Sequence, residues 1–225
     1  MSVLESKKLP YPRPPHMKKT ELRPVLATTL KDDDLFEDFL MKEIDLSENE
    51  GLDIRFLTGI INHSRFDGTK LSRTKMANIV IENSYLSNAD WNKSLFSSVA
   101  INGSKLTGFQ AISGKWNDVV IKRSKADLSL LALTKMKNIV FEDCILTDAD
   151  FQECDMDNVR FNGCNLTNTS FLGARFKNVD LRGSNIEKIK ISPDQFNGII
   201  IEPIQAAYLI GATGAKVAWL NDKEA

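Results

Sequence analysis

The chain has 225 residues, 42% of them hydrophobic and 26% charged, with a formal net charge of −1. That is enough for one large domain with an ample core, and a charge so near zero gives no ground for direct nucleic-acid binding or for an acidic tail. No apolar run is long enough to span a membrane, and the start MSVLESKKLPYPRPP lacks a signal-peptide core, so a cytoplasmic protein is expected.

Residues 1–31 form a distinct proline-rich, basic segment. Pro10, Pro12, Pro14, Pro15 and Pro24 are interspersed with Lys7, Lys8, Arg13, Lys18, Lys19 and Arg23. Such a stretch is extended or irregular. It is either a recognition arm or a leader that lies along the rest of the protein or stays disordered, and the second reading is preferred.

Residues 32–45 read as an N-terminal capping helix. Asp34 is placed to cap it, Glu37 completes a capping box, and Asp32 and Asp33 favour the positive helix end. Leu35, Phe36, Phe39 and Leu40 would make its apolar face.

Residues 46–201 carry a beat of five. Stepping from Leu46 lands on a large apolar residue almost every time, with Gly51, Ala111 and Ala126 as exceptions. The landing residues include Phe56, Phe66, Trp91, Phe96 and Trp116, then Phe141, Phe151, Phe161, Phe171, Phe176 and Leu181. Two residues before each landing residue sits a small or β-branched one, such as Ser64, Thr69, Ser84, Ala89, Cys144 or Thr169. A helix of 3.6 residues per turn smears a period of five around its surface, and a plain strand alternates with period two. Five fits a short extended side plus a corner. A second beat of 20 lies on top: Asn78-Ile79-Val80-Ile81 recurs as Asp118-Val119-Val120-Ile121 and Asn138-Ile139-Val140-Phe141. Four sides therefore make one coil of a solenoid, nearly eight coils in all, stacked at about 4.8 Å per coil.

Residues 202–225 read as a C-terminal helix and tail. Glu202-Pro203 opens the helix, Ile204, Ala207, Tyr208 and Leu209 form its apolar face, and Gly211 and Gly214 end it.

Ala89-Asp90-Trp91, Ala149-Asp150-Phe151, Cys164-Asn165-Leu166 and Ala174-Arg175-Phe176 resemble the units of pentapeptide repeat proteins. The resemblance covers residues 46–201 without a slip. It implies an all-β solenoid, a right-handed quadrilateral β-helix with phenylalanine and leucine ladders inside and short capping helices at both ends. Gln205, Ala206, Leu209, Gly214 and Val217 resemble the C-terminal module of the Qnr/MfpA quinolone-resistance pentapeptide proteins. That likeness implies a twofold homodimer through Gln205, Ala206, Leu209, Val217, Trp219 and Leu220; the alternative is a monomeric cap.

No catalytic, cofactor or metal site is expected. His16 lies in the proline-rich segment and His63 at an outward position, each without a nucleophile or base beside it. Cys144, Cys154 and Cys164 all fall on the inward small position and read as packing residues. A Cys144–Cys164 disulfide is within stacking distance, but parallel side chains and a reducing compartment argue against it.

Qnr and MfpA proteins are proposed to mimic DNA and to bind type II topoisomerases, which calls for a stripe of carboxylates. Here the acids alternate with bases at steps of 20, as in Lys135/Asp155/Arg175, Lys137/Asp157/Lys177, Arg123/Asp143 and Lys122/Glu142. Residues 46–201 hold 18 acids and 19 bases, a poor DNA mimic by net field. The primary reading is a non-catalytic scaffold that docks a protein partner. The alternative is fluoroquinolone protection through DNA gyrase or topoisomerase IV.

Overall fold

The computed structural model describes residues 9–16 and 22–218. The strands are β1 (Arg23–Pro24), β2 (Leu35–Lys42), β3 (Glu50–Leu52), β4 (Arg55–Asn62), β5 (Lys70–Ser72) and β6 (Lys75–Glu82). They continue with β7 (Leu95–Asn102), β8 (Lys115–Lys122), β9 (Lys135–Glu142), β10 (Asp155–Asn162), β11 (Arg175–Asp180) and β12 (Ile199–Ile200), followed by helix α1 (Pro203–Ala212). Ten strands form one parallel sheet in the order β1-β2-β4-β6-β7-β8-β9-β10-β11-β12, and β3 pairs with β5. From β2 onward, partners along the long ladder are 20 residues apart, for example Met76 with Phe96 and Phe141 with Phe161. The fold is a right-handed quadrilateral β-helix of about nine turns.

The corners explain the beat. A residue with positive φ recurs every five positions, as at Asp53 (58°), Thr58 (54°), His63 (50°) and Gly68 (65°). It falls two places after each landing residue and turns the chain to the next side. Glycine, asparagine and aspartate recur there because they enter the left-handed region at least cost. The landing residue and the small residue two places before it then point inward.

The interior is filled by stacked rings. Phe141 lies over Phe161 at 4.9 Å between centroids, Phe151 over Phe171 at 5.1 Å, and the two stacks meet edge to face. Leu181 continues the first stack and is buried; Phe176 is only half-buried, at the edge of the core. Two exceptions to the beat are exchanges of volume. Ala111 is small where Phe109, two residues earlier, fills the space against Trp91 at 5.6 Å. Gly51 is bare because Ile54 points into the place its side chain would take. A third exchange precedes them: Phe39 occupies a position that later turns give to Ile79 or Val99, and a Cβ on Gly59 would run into its ring.

One sequence expectation is overturned. Residues 32–45 contain no helix. Leu35–Lys42 is strand β2, in register with Phe56 and Ile61 through Phe36 and Met41, so the beat begins half a turn earlier than Leu46, at Phe36. Asp33, Asp38 and Glu43 are left-handed corners. The acids that suit a helix start also suit a corner, and ladder pairing with β4 outweighs an isolated short helix. Leu35 is consequently exposed while Phe39 is buried, which splits the expected apolar face. The open first turn is covered by Leu30, Val25 and Ala27, with the Leu30 N–H donating to Asn49 Oδ1 at 2.8 Å.

The other end is closed by two buried glutamines ten residues apart. Gln195 Nε2 donates to the carbonyls of Phe171 and Ala174 (2.6 and 2.7 Å), and Gln205 Nε2 to those of Leu181 and Ser184 (2.8 and 2.9 Å). Each Oε1 accepts a backbone N–H three residues earlier, from Ser192 and Glu202. The amides thus satisfy carbonyls that another coil would otherwise have paired.

Candidate functional site

The long strands build two adjacent outer faces, divided by the corner row that includes Asn78, Ser98, Asp118 and Asn138. One face is covered by the N-terminal segment and the other is open.

On the covered face the outward row is apolar: Leu40, Ile60, Val80, Ala100, Val120 and Val140 are ladder neighbours. Residues 9–16, here called the arm, lie across its upper turns. The carbonyls of Leu9 and Pro10 accept from the Arg160 guanidinium, and Asn158 Nδ2 also donates to Pro10 at 3.0 Å. Pro12 is buried. The Tyr11 ring sits 5.9 Å from Lys122 Nζ. Arg13 donates to Asp118 from both Nε (2.7 Å) and its backbone N–H (3.2 Å), and the His16 N–H reaches Asn78 Oδ1. Further along the chain, β1 pairs with β2 on the first turn. Val120 and Val140 are buried on an outer face for this reason. Asp118 is buried too, and Asn117 and Asn138 donate to it at 3.0 and 3.1 Å. Burial pushes its carboxyl up, but the Arg13 and Asn138 hydrogen bonds outweigh that and leave it below the ordinary aspartate value. The sequence did carry a signal for this cover: apolar Val80, Val120 and Val140 stand where the beat elsewhere places polar residues.

The open face is a lysine groove of about 600 Å³. Lys75, Lys115, Lys135 and Lys137 line it, with Leu95, Ser97 and Asn117 among them and Asp155 and Asp157 at one end. The ion pairs expected along the rod form only in part. Arg175 meets Asp155 at 3.2 Å, Lys177 meets Asp157 at 3.0 Å and Lys122 meets Glu142 at 2.9 Å. Lys135, Lys137 and Arg123 form no ion pair with the acids 20 residues on, among the described residues. Asp155 and Asp157 turn the other way, toward Arg175 and Lys177. Lys115 and Lys135 are direct ladder partners, so two like charges oppose each other. Arg55 over Lys75 is a second like-charged pair, and a third, Lys105 over Lys125, has Asp127 beside it at 3.6 Å.

The C-terminal residues divide. Gln205 and Leu209 are buried against the last turn and Ala206 is half-buried, so these three serve the cap. Val217 is exposed; Trp219 and Leu220 lie outside the described residues. The expected helix face of Ile204, Ala207, Tyr208 and Leu209 is corrected: Ile204, Tyr208 and Ile210 point outward. The helix docks through Gln205 and Leu209, four residues apart, because the amide is needed inside.

His63 is an exposed corner residue beside Asn62. The three cysteines are free and buried. Burial pushes the Cys154 thiol up to about 12. The Cys144 Sγ donates to the Ile121 carbonyl at 3.3 Å, and the neighbouring Cys144 thiol together with burial pushes the Cys164 thiol up. Cys144 and Cys164 continue an interior row in which Ser64, Ser84 and Ser104 backbone N–H groups donate to the next serine hydroxyl at 3.1 Å. No cluster of three metal-ligating side chains is found among the described residues, and no described helix is long and apolar enough to cross a membrane.

A family model described as pentapeptide repeat region matches residues 134–209. No curated protein matches the chain. Among solved structures, trypsin-treated QnrB1, a plasmid-mediated fluoroquinolone resistance protein, is 14% identical, with 84% of this chain and all of that one covered and a TM-score of 0.36. HetL from the cyanobacterium Nostoc sp. strain PCC 7120 is 12% identical over 76% of this chain and 90% of its own, with a TM-score of 0.31. Rfr23 from the cyanobacterium Cyanothece 51142 is 18% identical over 60% of each chain, with a TM-score of 0.20. Residues 134–209 thus match the pentapeptide repeat region, and the five-residue register of that stretch runs unbroken back to Phe36.

Proposed function

We propose that the protein is a non-catalytic scaffold whose lysine face docks an acidic segment of a partner protein. The observation that carries this reading is the unpaired lysine row. Elsewhere the rod sets opposite charges together, as in Lys70–Glu50, Arg73–Asp53 and Lys122–Glu142. On this face Lys75, Lys115, Lys135 and Lys137 have no carboxylate partner among the described residues, and they line a groove of about 600 Å³. Carboxylates laid along the rod would meet these ammonium groups, with Leu95 supplying an apolar contact between Lys75 and Lys115.

The test is fluorescence anisotropy of the full chain with a labelled glutamate-rich peptide. Binding that weakens with salt and is lost in Lys115→Glu/Lys135→Glu supports the reading. Equal binding by that variant, or a preference for duplex DNA over the peptide, overturns it.

Pairing of two copies through the C-terminal end belongs to the same proposal. Ile204, Tyr208, Ile210 and Val217 are exposed apolar groups at one end of the rod. Light scattering is expected to give a dimer that Ile204→Asp converts to a monomer; a wild-type monomer at micromolar concentration removes this part. Fluoroquinolone protection through a type II topoisomerase is the competing reading, and it is weakened by the pairing of several of the rod's carboxylates, among them Asp53, Glu142, Asp155 and Asp157, with neighbouring bases. Restored gyrase supercoiling in the presence of the drug would put it first.

A further inference from the structure

We propose that the covered face is a recognition groove for extended proline-rich segments that carry an arginine, and that residues 9–16 are its built-in competitor. The arm, Leu-Pro-Tyr-Pro-Arg-Pro-Pro-His, makes the contacts of a bound peptide. Two main-chain carbonyls, at Leu9 and Pro10, are read by Arg160 and Asn158. One proline, Pro12, is buried on the face. One arginine, Arg13, engages a carboxylate. None of these contacts depends on the arm being joined to the rod. A separate chain with the same features would make them all, and a proline-rich segment loses little conformational freedom in doing so.

The groove side is costly to maintain for packing alone. Asp118 is a carboxylate with 1% of its side chain exposed, and Arg13 supplies its cation. A buried charge of this kind needs a partner and several hydrogen bonds, which Arg13, Asn117 and Asn138 provide together. Asn158 Oδ1 is also buried and has no partner among the described residues, so a ligand donor could still be accepted beside Pro10. The Arg13 side chain, in contrast, is 76% exposed. It lies on the surface, where exchange with another chain is open to it. The inward ladder of landing residues takes nothing from the arm.

The arm's tether sets how the site behaves. A cis segment acts at an effective concentration in the millimolar range, so a free peptide at micromolar concentration competes poorly until the arm is weakened. The experiment uses the full chain and a fluorescein-labelled peptide of residues 9–16, followed by anisotropy. Wild type is expected to bind weakly. Arg13→Ala releases the arm and should bind the peptide at least about tenfold tighter. Adding Asp118→Asn to that variant should abolish the gain, as should replacing the peptide's arginine by alanine. Pro12→Ala is a second way to loosen the arm should Arg13→Ala not fold. A released arm with no gain in binding overturns the proposal, as does a gain that survives Asp118→Asn. As a check on the unaltered protein, excess peptide should speed hydrogen exchange at the Arg13 amide; an unchanged rate would show a fixed structural strap. The lysine face is not involved, so failure of acidic-peptide binding there leaves this result standing.

Discussion

Leu128 and Leu133 occupy left-handed corners at φ 59° and 62°, and both side chains are exposed. A branched apolar residue in that region meets its own backbone, at about 1–2 kcal/mol, a cost that asparagine reduces through local hydrogen bonding. Leu133→Asn is therefore expected to raise stability by about 0.5–1 kcal/mol in chemical denaturation; no gain would mean that packing with Leu130 offsets the strain. Asp118 gives a second residue-scale expectation. Its folded carboxyl titrates below the ordinary value, burial being outweighed by Arg13 and Asn138. The unfolded state then binds the proton more readily, so the contribution is complete above about pH 4 and is lost as pH falls through the folded value. The stability gap between wild type and Arg13→Ala should shrink below about pH 4, and a gap that stays constant would show that the ion pair is not its source.

At the scale of elements, the ring stacks hold the turns together. Phe161 touches Phe141, Phe151 and Phe171 and is almost fully buried. Phe161→Ala should cost about 3–5 kcal/mol, and a wild-type melting curve would contradict the stacking. This much was legible in the sequence, because a period of five leaves one residue per side for the interior. The first turn was not. Asp32, Asp33, Asp34 and Glu37 fit a helix start and a corner row equally well by local preference, and only pairing 20 residues away decides. The C-terminal glutamines were missed for a related reason. Gln205 was legible as a module residue, yet its contacts are with carbonyls at Leu181 and Ser184, more than twenty positions back. The partners of the lysines were illegible because Asp155 has a base on either side in register and its rotamer selects Arg175.

At the scale of the whole molecule, the rod spends stability on one face and recovers it on others. Lys115 opposes Lys135 directly, while Asp155 and Asp157 are drawn away to Arg175 and Lys177. Like charges opposed on a ladder are unfavourable by tenths of a kcal/mol up to about 1, and an exposed opposite pair gains a similar amount. Local rules broken without compensation mark where folding and function diverge. Lys115→Glu tests this, because its ladder neighbours are Leu95 and Lys135 and no carboxylate opposes the new one. The variant should be more stable than wild type by about 0.5 kcal/mol at low salt, with the gain fading as salt screens it. The same variant should bind a glutamate-rich peptide markedly less well. Denaturation and anisotropy on one preparation check both halves. A variant that is more stable and binds equally well would locate docking elsewhere on the rod. One that is less stable would show that the lysine row is held by contacts other than charge.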